Sequence, residues 1–187
     1  MKNAIVAIMT LSLVAPWCFG DSKSPAIPKL EDVKVNGLTL GMPFSGALKR
    51  LKHKSLSDIV DAGVRIISFQ SKFAGKKCLL QLEFFQDRLA TISIKSYPNS
   101  GYTLKDINAV ISDLEGKFGE SRSYSVENDS PADTGYFYYW LENNAPQTGY
   151  SVAMEYYKSF DGSISLLISY THYNLHELTI TSAGKSD

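Results

Sequence analysis

The residues best placed for chemistry are two histidines and a glutamate near the carboxyl end. His172 and His176 are four positions apart, and Glu177 follows directly. On a helix this spacing places both imidazoles on one face, which suits a zinc ion. In zinc proteases, however, the glutamate lies between the histidines and acts as general base. The segment also continues a predicted strand, which would separate the two side chains by about 13 Å, so a surface strand end is the preferred interpretation.

Other reactive residue types offer no catalytic signature. Cys78 alternates with Leu80, Leu82 and Phe84, so it is predicted to be a small buried strand residue rather than a nucleophile. The sequence contains no glycine-rich phosphate loop, no serine elbow and no paired-cysteine metal motif. We therefore expect no cofactor. An envelope hydrolase or metal-dependent enzyme that uses the histidine pair is kept as an alternative.

A basic cluster follows the first predicted helix. Its members are Lys49, Arg50, Lys52, His53 and Lys54. Cations at the carboxyl end of a helix complement its dipole, which is the preferred interpretation. An anionic partner, such as a cell-wall polymer or an acidic protein patch, is the alternative.

Aromatic residues are the features that most favour a binding function. The run Tyr136-Phe137-Tyr138-Tyr139-Trp140 places rings on both faces of one strand, because successive side chains alternate. One face must serve the core, and exposed tyrosine and tryptophan rings are typical anchors of protein recognition. The candidate partner-binding residues are Tyr136, Tyr138, Trp140, Tyr139, Phe85 and Tyr157. The alternative is that a second layer of the fold covers these rings.

The hydrophobic pattern predicts two helices and six strands. One helix is expected through residues 45–51, and a second over residues 104–118, between a Thr103 cap and Gly119. The polar stretch 125–135 is expected to be a loop. Strands are predicted at residues 64–69, 78–85, 89–97, 136–141, 150–157 and 163–171.

The order of these elements, a helix and then strands, occurs twice. Residues 82–97 and 154–170 look alike, and the breaker Pro98-Asn99-Ser100-Gly101 falls between the two sets. The expected fold is therefore α+β, with two tandem helix-plus-antiparallel-sheet units and the helices packed on one face of the sheet. The predicted segments are an extended lead-in at 21–36, a first α/β unit at 37–98, a second at 99–178 and a frayed tail at 179–187.

The amino-terminal segment 1–20 is predicted to be a cleavable signal peptide. Lys2 precedes a short apolar run, and the expected cut follows Gly20. Cys18 suggests a lipoprotein instead, but the bulky Trp17 directly before it argues against lipidation. We therefore expect a periplasmic or secreted protein with one remaining cysteine and no intramolecular disulfide.

Charge and hydropathy limit the partners. The chain has 19 basic and 19 acidic residues, so it lacks the positive charge that is typical of nucleic-acid binding. No second apolar run approaches membrane-spanning length, and no integral membrane segment is expected after signal cleavage. These properties favour a protein partner in the cell envelope or outside the cell, and they leave the oligomeric state open.

Three short motifs carry a resemblance to a known superfamily. They are residues 37–42 (GLTLGM) before a helix, residues 84–92 (FFQDRLATI) at a strand turn, and residues 114–120 (LEGKFGE) at a helix end. The motifs resemble the β-lactamase-inhibitory-protein-like superfamily, which also contains outer-membrane assembly lipoproteins of the small-protein-A type. The resemblance implies an exported, non-catalytic protein that binds other proteins through a sheet face or its loops. The chain departs from the pattern of this family in two ways: the one cysteine expected after signal cleavage cannot form an intramolecular disulfide like those of the inhibitory proteins, and the sequence around Cys18 does not match the lipidation signal of the lipoproteins.

The leading hypothesis is an exported, non-catalytic protein-binding module, such as an inhibitor or immunity-type protein acting in the periplasm. The aromatic strand, the resemblance and the missing catalytic signature all favour it. Besides the enzyme using His172, His176 and Glu177, a small-ligand carrier is a further alternative. Such a carrier would line a groove between sheet and helices with the aromatic rings.

Overall fold

A computed structural model of the chain describes residues 34–51, 54–97, 99–127, 134–140 and 149–175. The predicted signal peptide 1–20, the tail 179–187, His53, His176 and Glu177 lie outside the described residues. The elements are Lys34–Val35 (β1), Leu38–Thr39 (β2), Phe44–Arg50 (α1), Ser57–Asp61 (β3), Val64–Phe73 (β4), Lys76–Phe85 (β5), Arg88–Ser96 (β6), Leu104–Phe118 (α2), Arg122–Glu127 (β7), Thr134–Trp140 (β8), Tyr150–Lys158 (β9) and Ile164–His172 (β10). All six predicted strands and both predicted helices are present, whereas β3 and β7 were not predicted.

Eight strands form a single antiparallel sheet in the order β3-β4-β5-β6-β10-β9-β8-β7. β6 and β10 pair at its centre, where Ile94 lies opposite Ile168. The predicted fold class is therefore wrong: the described chain is mostly β, with one eight-stranded sheet, a separate two-stranded sheet of β1 and β2, and helices α1 and α2 of 7 and 15 residues, and its described part has no tandem helix-plus-sheet units. The physical reason is that β6 and β10 would each leave an unpaired edge in separate sheets, and pairing with each other removes both edges.

The longer helix begins and ends where the sequence predicts. The Asp106 backbone N–H donates to the Thr103 hydroxyl at 3.3 Å, and the Thr103 backbone N–H donates to the Asp106 carboxylate at 2.8 Å. Gly119 ends α2 with a φ of 86°. The predicted cap residues are thus confirmed. Within the described ranges, no helix is long and apolar enough to cross a membrane.

One face of the sheet carries the main core and packs against both helices. Alternate residues of the central strands point into it, and Ala47 of α1 and Ile107 of α2 join them. Cys78 is 1% exposed, which confirms its predicted place as a buried strand residue. Burial raises the pKa of the Cys78 thiol, so the reactive thiolate is disfavoured.

The opposite face of the sheet, called the open face below, receives no residue of α1 or α2 into its apolar cluster. Phe84 and Phe85 point to opposite faces because they are successive: Phe84 enters the main core, where its ring meets Phe44 edge-on at 5.1 Å. Phe85 lies at one end of the open face. Its neighbours define the Phe85 cluster, which consists of Val64, Phe85 and Ala90 with Ile66 and Leu175 packed against them.

One arginine adds a side-chain contact to the pairing of the edge strand β3 with β4. Arg65 donates to both carboxylate oxygens of Asp58, at 2.8 and 2.6 Å. Its guanidinium also lies over the Phe44 ring, 4.1 Å from the centroid. The hydrogen bonds from Arg65 lower the pKa of Asp58. Arg65 thereby ties β3, β4 and the start of α1 together.

Candidate functional site

Four aromatic rings form a row on the open face, at the end of the sheet away from the Phe85 cluster. We call this row the aromatic ladder; its members are Tyr124 of β7, Phe137 and Tyr139 of β8, and Tyr157 of β9. The Tyr124 ring stacks on Phe137 and Tyr139, with centroids 4.9 and 5.7 Å apart. Phe137 meets Tyr157 edge-on at 5.8 Å. Stacked and edge-on pairs of this kind are the favoured geometries of aromatic rings, so the four side chains support one another.

A glycine makes room for the aromatic ladder on β8. Gly135 lies directly opposite Tyr157 in the pairing of β8 with β9. A Cβ atom at this position would lie 2.8 Å from Cε1 of Tyr157 and 3.1 Å from Cε2 of Phe137. Both distances are shorter than a favourable carbon–carbon contact. The missing side chain of Gly135 therefore lets the two rings lie against the strand.

The aromatic ladder combines apolar area with hydroxyl groups. Tyr124 is 53% exposed, and its hydroxyl lies 3.0 Å from the hydroxyl of Tyr139. Burial raises the pKa of Tyr157, and the neighbouring Glu155 and Tyr124 raise it further. The Tyr157 phenol is therefore neutral at physiological pH and can donate as well as accept a hydrogen bond. Such a surface suits recognition rather than bond making.

Small hydroxyl side chains occupy the middle of the open face. We call them the hydroxyl band: Thr91 and Ser93 of β6 face Thr171 and Ser169 of β10. The hydroxyl oxygens of Ser93 and Ser169 lie 3.4 Å apart. Thr91 Oγ1 is buried and has no hydrogen-bond partner among the described residues. A buried hydroxyl without a hydrogen-bond partner carries a free-energy cost.

A short polar row borders the hydroxyl band on β5 and β6. The Lys95 ammonium donates to Gln81 Oε1 at 3.1 Å, and Gln81 Nε2 donates to Glu83 Oε1 at 2.9 Å. These longer side chains flank the smaller Ser93, which is buried. The centre of the open face is thus polar, and its two ends are apolar.

Three of the predicted binding residues lie on the face of the main core. Tyr136 stacks on Tyr156 with a centroid distance of 4.6 Å, and Tyr138 lies 6.2 Å from Trp140. Trp140 is 1% exposed. Burial raises the pKa of Tyr156 to about 12, with Tyr138 and Tyr136 adding to the effect. In the described chain these rings pack with the core, and a binding role for Tyr136, Tyr138 and Trp140 stays a prediction.

The other three predicted binding residues lie on the open face. Tyr139 and Tyr157 come together in the aromatic ladder. Phe85 lies at the opposite end and is only 6% exposed within the Phe85 cluster. The structure thus brings two of the six candidates into one accessible group. Of the other two members, Phe137 belongs to the predicted aromatic run but was not among the six candidates, and Tyr124 was missed, as was the supporting Gly135.

The missed residues had weak signals in the sequence. Tyr124 alternates with Arg122 and Val126, but this segment is short and runs into the polar stretch that was predicted to be a loop. Gly135 directly precedes the aromatic run, where a glycine can mark the close approach of a neighbouring ring. Phe137 was placed on the parity of Tyr139, and only the sheet topology shows that this parity faces outward.

His172 lies at the end of β10, beside the turn that precedes α1. A Cβ atom at Gly41 would lie 3.6 Å from its Cδ2 atom. Its Nδ1 atom is buried without a hydrogen-bond partner in the described ranges, and burial lowers its pKa. Because His176 and Glu177 lie outside the described residues, the predicted pair stays a prediction. No group of three His, Cys, Asp or Glu side chains in the described part of the chain could hold a metal ion.

The described chain belongs to the class of open antiparallel sheets with helices on one face. No family model and no curated protein matches it. A solved structure of an extracellular protein containing an SCP domain, from Bacillus anthracis str. Ames, is similar to it with 11% identity and a TM-score of 0.34. The likeness covers 78% of this chain and 49% of that chain, so this chain spans about half the length of that protein.

The resemblance to the β-lactamase-inhibitory-protein-like superfamily is wrong. No family model matches the chain, and the single eight-stranded sheet differs from the tandem units that the resemblance implied. Local backbone chemistry accounts for the motifs instead. In FFQDRLATI, Gln86 and Asp87 have positive φ angles of 47° and 64° and form a tight turn between β5 and β6. LEGKFGE is the capped end of α2. Turns and caps of this kind recur in unrelated folds.

Proposed function

We propose that this chain is an exported, non-catalytic binding module that holds a protein partner against the open face of its sheet. The aromatic ladder is the observation that carries the proposal. Its four rings support one another, and no helix of the described ranges covers them. Rigid tyrosine rings offer large contact area at low conformational-entropy cost, which makes them frequent hot spots of protein recognition.

The chemistry beside the aromatic ladder indicates what the partner presents. Apolar or aromatic side chains of the partner would pack on the rings, and polar groups would meet the hydroxyl band. The open face carries both signs of charge, with Lys95 beside Glu83 and Glu155 beside the rings. A protein loop of mixed polarity fits this surface better than a uniformly charged polymer.

The compartment of the partner follows from the amino-terminal segment. A cleaved signal at 1–20 would release the chain into the periplasm or outside the cell, where it would meet enzymes and toxins. A face that covers part of such a protein can block its active site. An inhibitor or immunity-type function is therefore the particular form of binding that we propose.

A paired variant of the aromatic ladder tests the proposal. Tyr124→Ala combined with Tyr157→Ala removes the outermost ring and the ring over Gly135. We expect a partner captured from an envelope extract by the wild-type chain to bind the purified variant at least about 30-fold more weakly, since hot spots contribute about 2 kcal/mol or more. Affinity is measured by isothermal titration calorimetry with the purified partner, after circular dichroism has shown that the variant is folded.

Phe160→Ala is the matched control. Phe160 is 89% exposed in the turn between β9 and β10 and is not a member of the aromatic ladder, so this variant should bind the partner as the wild type does. The proposal would be overturned by equal affinity of the ladder variant and the wild type. Equal losses in the ladder variant and in Phe160→Ala would overturn it as well, because they would indicate non-specific adhesion to exposed rings.

A further inference from the structure

The strand β7 forms one edge of the eight-stranded sheet. It pairs with β8 along its whole length and without a register shift, so it is a regular strand. In antiparallel pairing, the backbone N–H and C=O groups of every second residue point away from the neighbouring strand. On the outer side of β7 these groups meet no other strand of the described chain. The edge of β7 is therefore open to one more strand.

The strand β7 lacks the features that usually keep a sheet edge unpaired. It contains no proline, no lysine and no bulge, and its two charged residues, Arg122 and Glu127, are its first and its last. The residues between them are uncharged. The opposite edge strand β3 differs, because two of its five residues are Asp58 and Asp61. Of the two edges, β7 is thus the one suited to pairing.

The side chains of β7 leave its outer edge accessible on both faces of the sheet. Tyr124 and Val126 on the open face are 53% and 42% exposed. On the opposite face, the small side chains of Ser123 and Ser125 are exposed as well. The Tyr124 ring stacks only on rings that belong to β8. A further ring that arrives from the side away from β8 can therefore pack against it.

The order of residues in β7 is complementary to itself. A two-fold axis perpendicular to the sheet would place Tyr124 opposite Tyr124 of a second copy and Ser123 opposite Ser125. Arg122 would lie opposite Val126 and diagonally from the Tyr124 ring, within reach of a cation–π contact. Such an axis keeps the open faces of both copies on the same side, so each of these pairs shares a face. None of the pairs brings like charges together.

We infer that the chain forms a symmetric dimer in which β7 of a second copy adds antiparallel to β7. The two eight-stranded sheets then continue into each other, and the aromatic ladders of the two copies meet at the Tyr124 pair. Backbone hydrogen bonds hold the two edges together. An interface of one short strand from each copy is small, so the dimer dissociates on dilution. It leaves the open face accessible, and the inference does not rest on the proposed function.

Sedimentation velocity of the wild-type chain over a range of concentrations tests the inference, and a reversible monomer–dimer equilibrium is the expected result. Ser123→Lys combined with Ser125→Lys places the introduced ammonium groups opposite each other in the dimer. This variant should raise the dissociation constant about ten-fold or more, because like charges repel across paired strands. Ser55→Lys combined with Ser112→Lys adds the same charge at exposed positions outside β7. As the matched control, it should leave the dissociation constant unchanged.

An exchange of charge tests the register of the two strands. Ser123→Glu combined with Ser125→Glu should also dimerise weakly by itself. Mixed with the lysine variant, it should form a heterodimer tighter than either variant alone, because each introduced carboxylate then lies opposite an introduced ammonium group. These readouts need no other protein and leave the four rings of the aromatic ladder unchanged. They therefore succeed or fail independently of the test of the proposed function.

Three outcomes would overturn the inference. A wild-type chain that stays monomeric at high concentration would leave the edge of β7 to a strand of another protein. An unchanged dimer in the lysine variant would show that the two copies meet at another surface. A mixture of the two charge variants that associates no more tightly than each variant alone would exclude the pairing of Ser123 with Ser125.

Discussion

Two apolar patches lie at opposite ends of the open face, and only one of them is covered by the chain itself. In the Phe85 cluster, Val64, Phe85 and Ala90 expose 8% or less, and Leu175 packs on them after β10 has ended. In the aromatic ladder, Tyr124 keeps 53% of its surface exposed. Both patches consist of alternate residues on antiparallel strands. Aromatic content therefore does not distinguish a buried cluster from an accessible one. The difference lies in whether another segment of the chain passes over the rings.

The two patches therefore contribute to different free energies: the Phe85 cluster to that of folding and, in our proposal, the aromatic ladder to that of binding a partner. Burial of the Phe85 cluster has already occurred, so it contributes to folding. The aromatic ladder is only partly buried, so a partner that covered it would gain the free energy of removing its remaining apolar surface from water. Each square ångström of apolar surface removed from water contributes about 25 cal/mol in either case. Variants at the two ends should therefore affect different measurements.

The largest expected effect is on the stability of the covered end. Phe85→Ala should lower the free energy of unfolding by about 3 kcal/mol, because it leaves a cavity in a buried cluster. Tyr124→Ala removes a ring that is half in water and should cost about 1 kcal/mol or less. Urea unfolding monitored by circular dichroism measures both. Equal losses would show that the aromatic ladder is as much a part of the folded core as the Phe85 cluster is.

An intermediate effect is expected beneath the aromatic ladder. Gly135→Ala places a methyl group against the Tyr157 and Phe137 rings and should cost about 1 kcal/mol, since the rings can shift to relieve the overlap. The near-ultraviolet circular dichroism of the stacked rings should change at the same time. Gly116→Ala, where a Cβ would have nothing within 4 Å, is the matched glycine control. In α2 it should stabilise by about 0.5–1 kcal/mol and leave that spectrum unchanged.

The smallest expected effect depends on pH and concerns the covered end. Burial lowers the pKa of His172 from its ordinary 6.5, and this residue lies three positions before Leu175. Between pH 8 and 5 the unfolded chain therefore binds a proton more readily than the folded one. The free energy of unfolding should fall as the pH is lowered through 6.5, and more steeply in the wild type than in His172→Gln. Parallel pH profiles would show that His172 does not contribute to this dependence.

The ends of α2 and the buried face of β5 could be predicted from the sequence because the residues that determine them are close together in the chain. The cap residues Thr103 and Gly119 act within a few residues of α2, and the alternation around Cys78 already indicates its buried face. The strand order was out of reach, since the pairing of β6 with β10 joins segments distant in the sequence. The two similar sets of elements led to a prediction of two separate units. The pairing of β6 with β10 joins them into one eight-stranded sheet.

The candidate site shows the same limit. The aromatic run indicated that rings lie on both faces of β8. The sequence does not show whether the face of Trp140 or the face of Tyr139 points towards the core. The position of the helices distinguishes them, because α2 packs on the side of Trp140. Tyr124 joins Tyr139 only through the pairing of β7 with β8. The short β7 has too few apolar residues for its pattern to stand out.

The clamp between Arg65 and Asp58 also protects the molecule from other copies of itself. Without β3, residues Val64 to Ser68 of β4 would present an unpaired strand edge to any neighbouring chain. β3 is short and carries Asp58 and Asp61, and negative charges on a short edge strand discourage strands of another chain from adding to it. By keeping β3 in place, Arg65 acts against fibril formation as well as unfolding. We therefore expect the first effect of replacing Arg65 to be aggregation at high protein concentration.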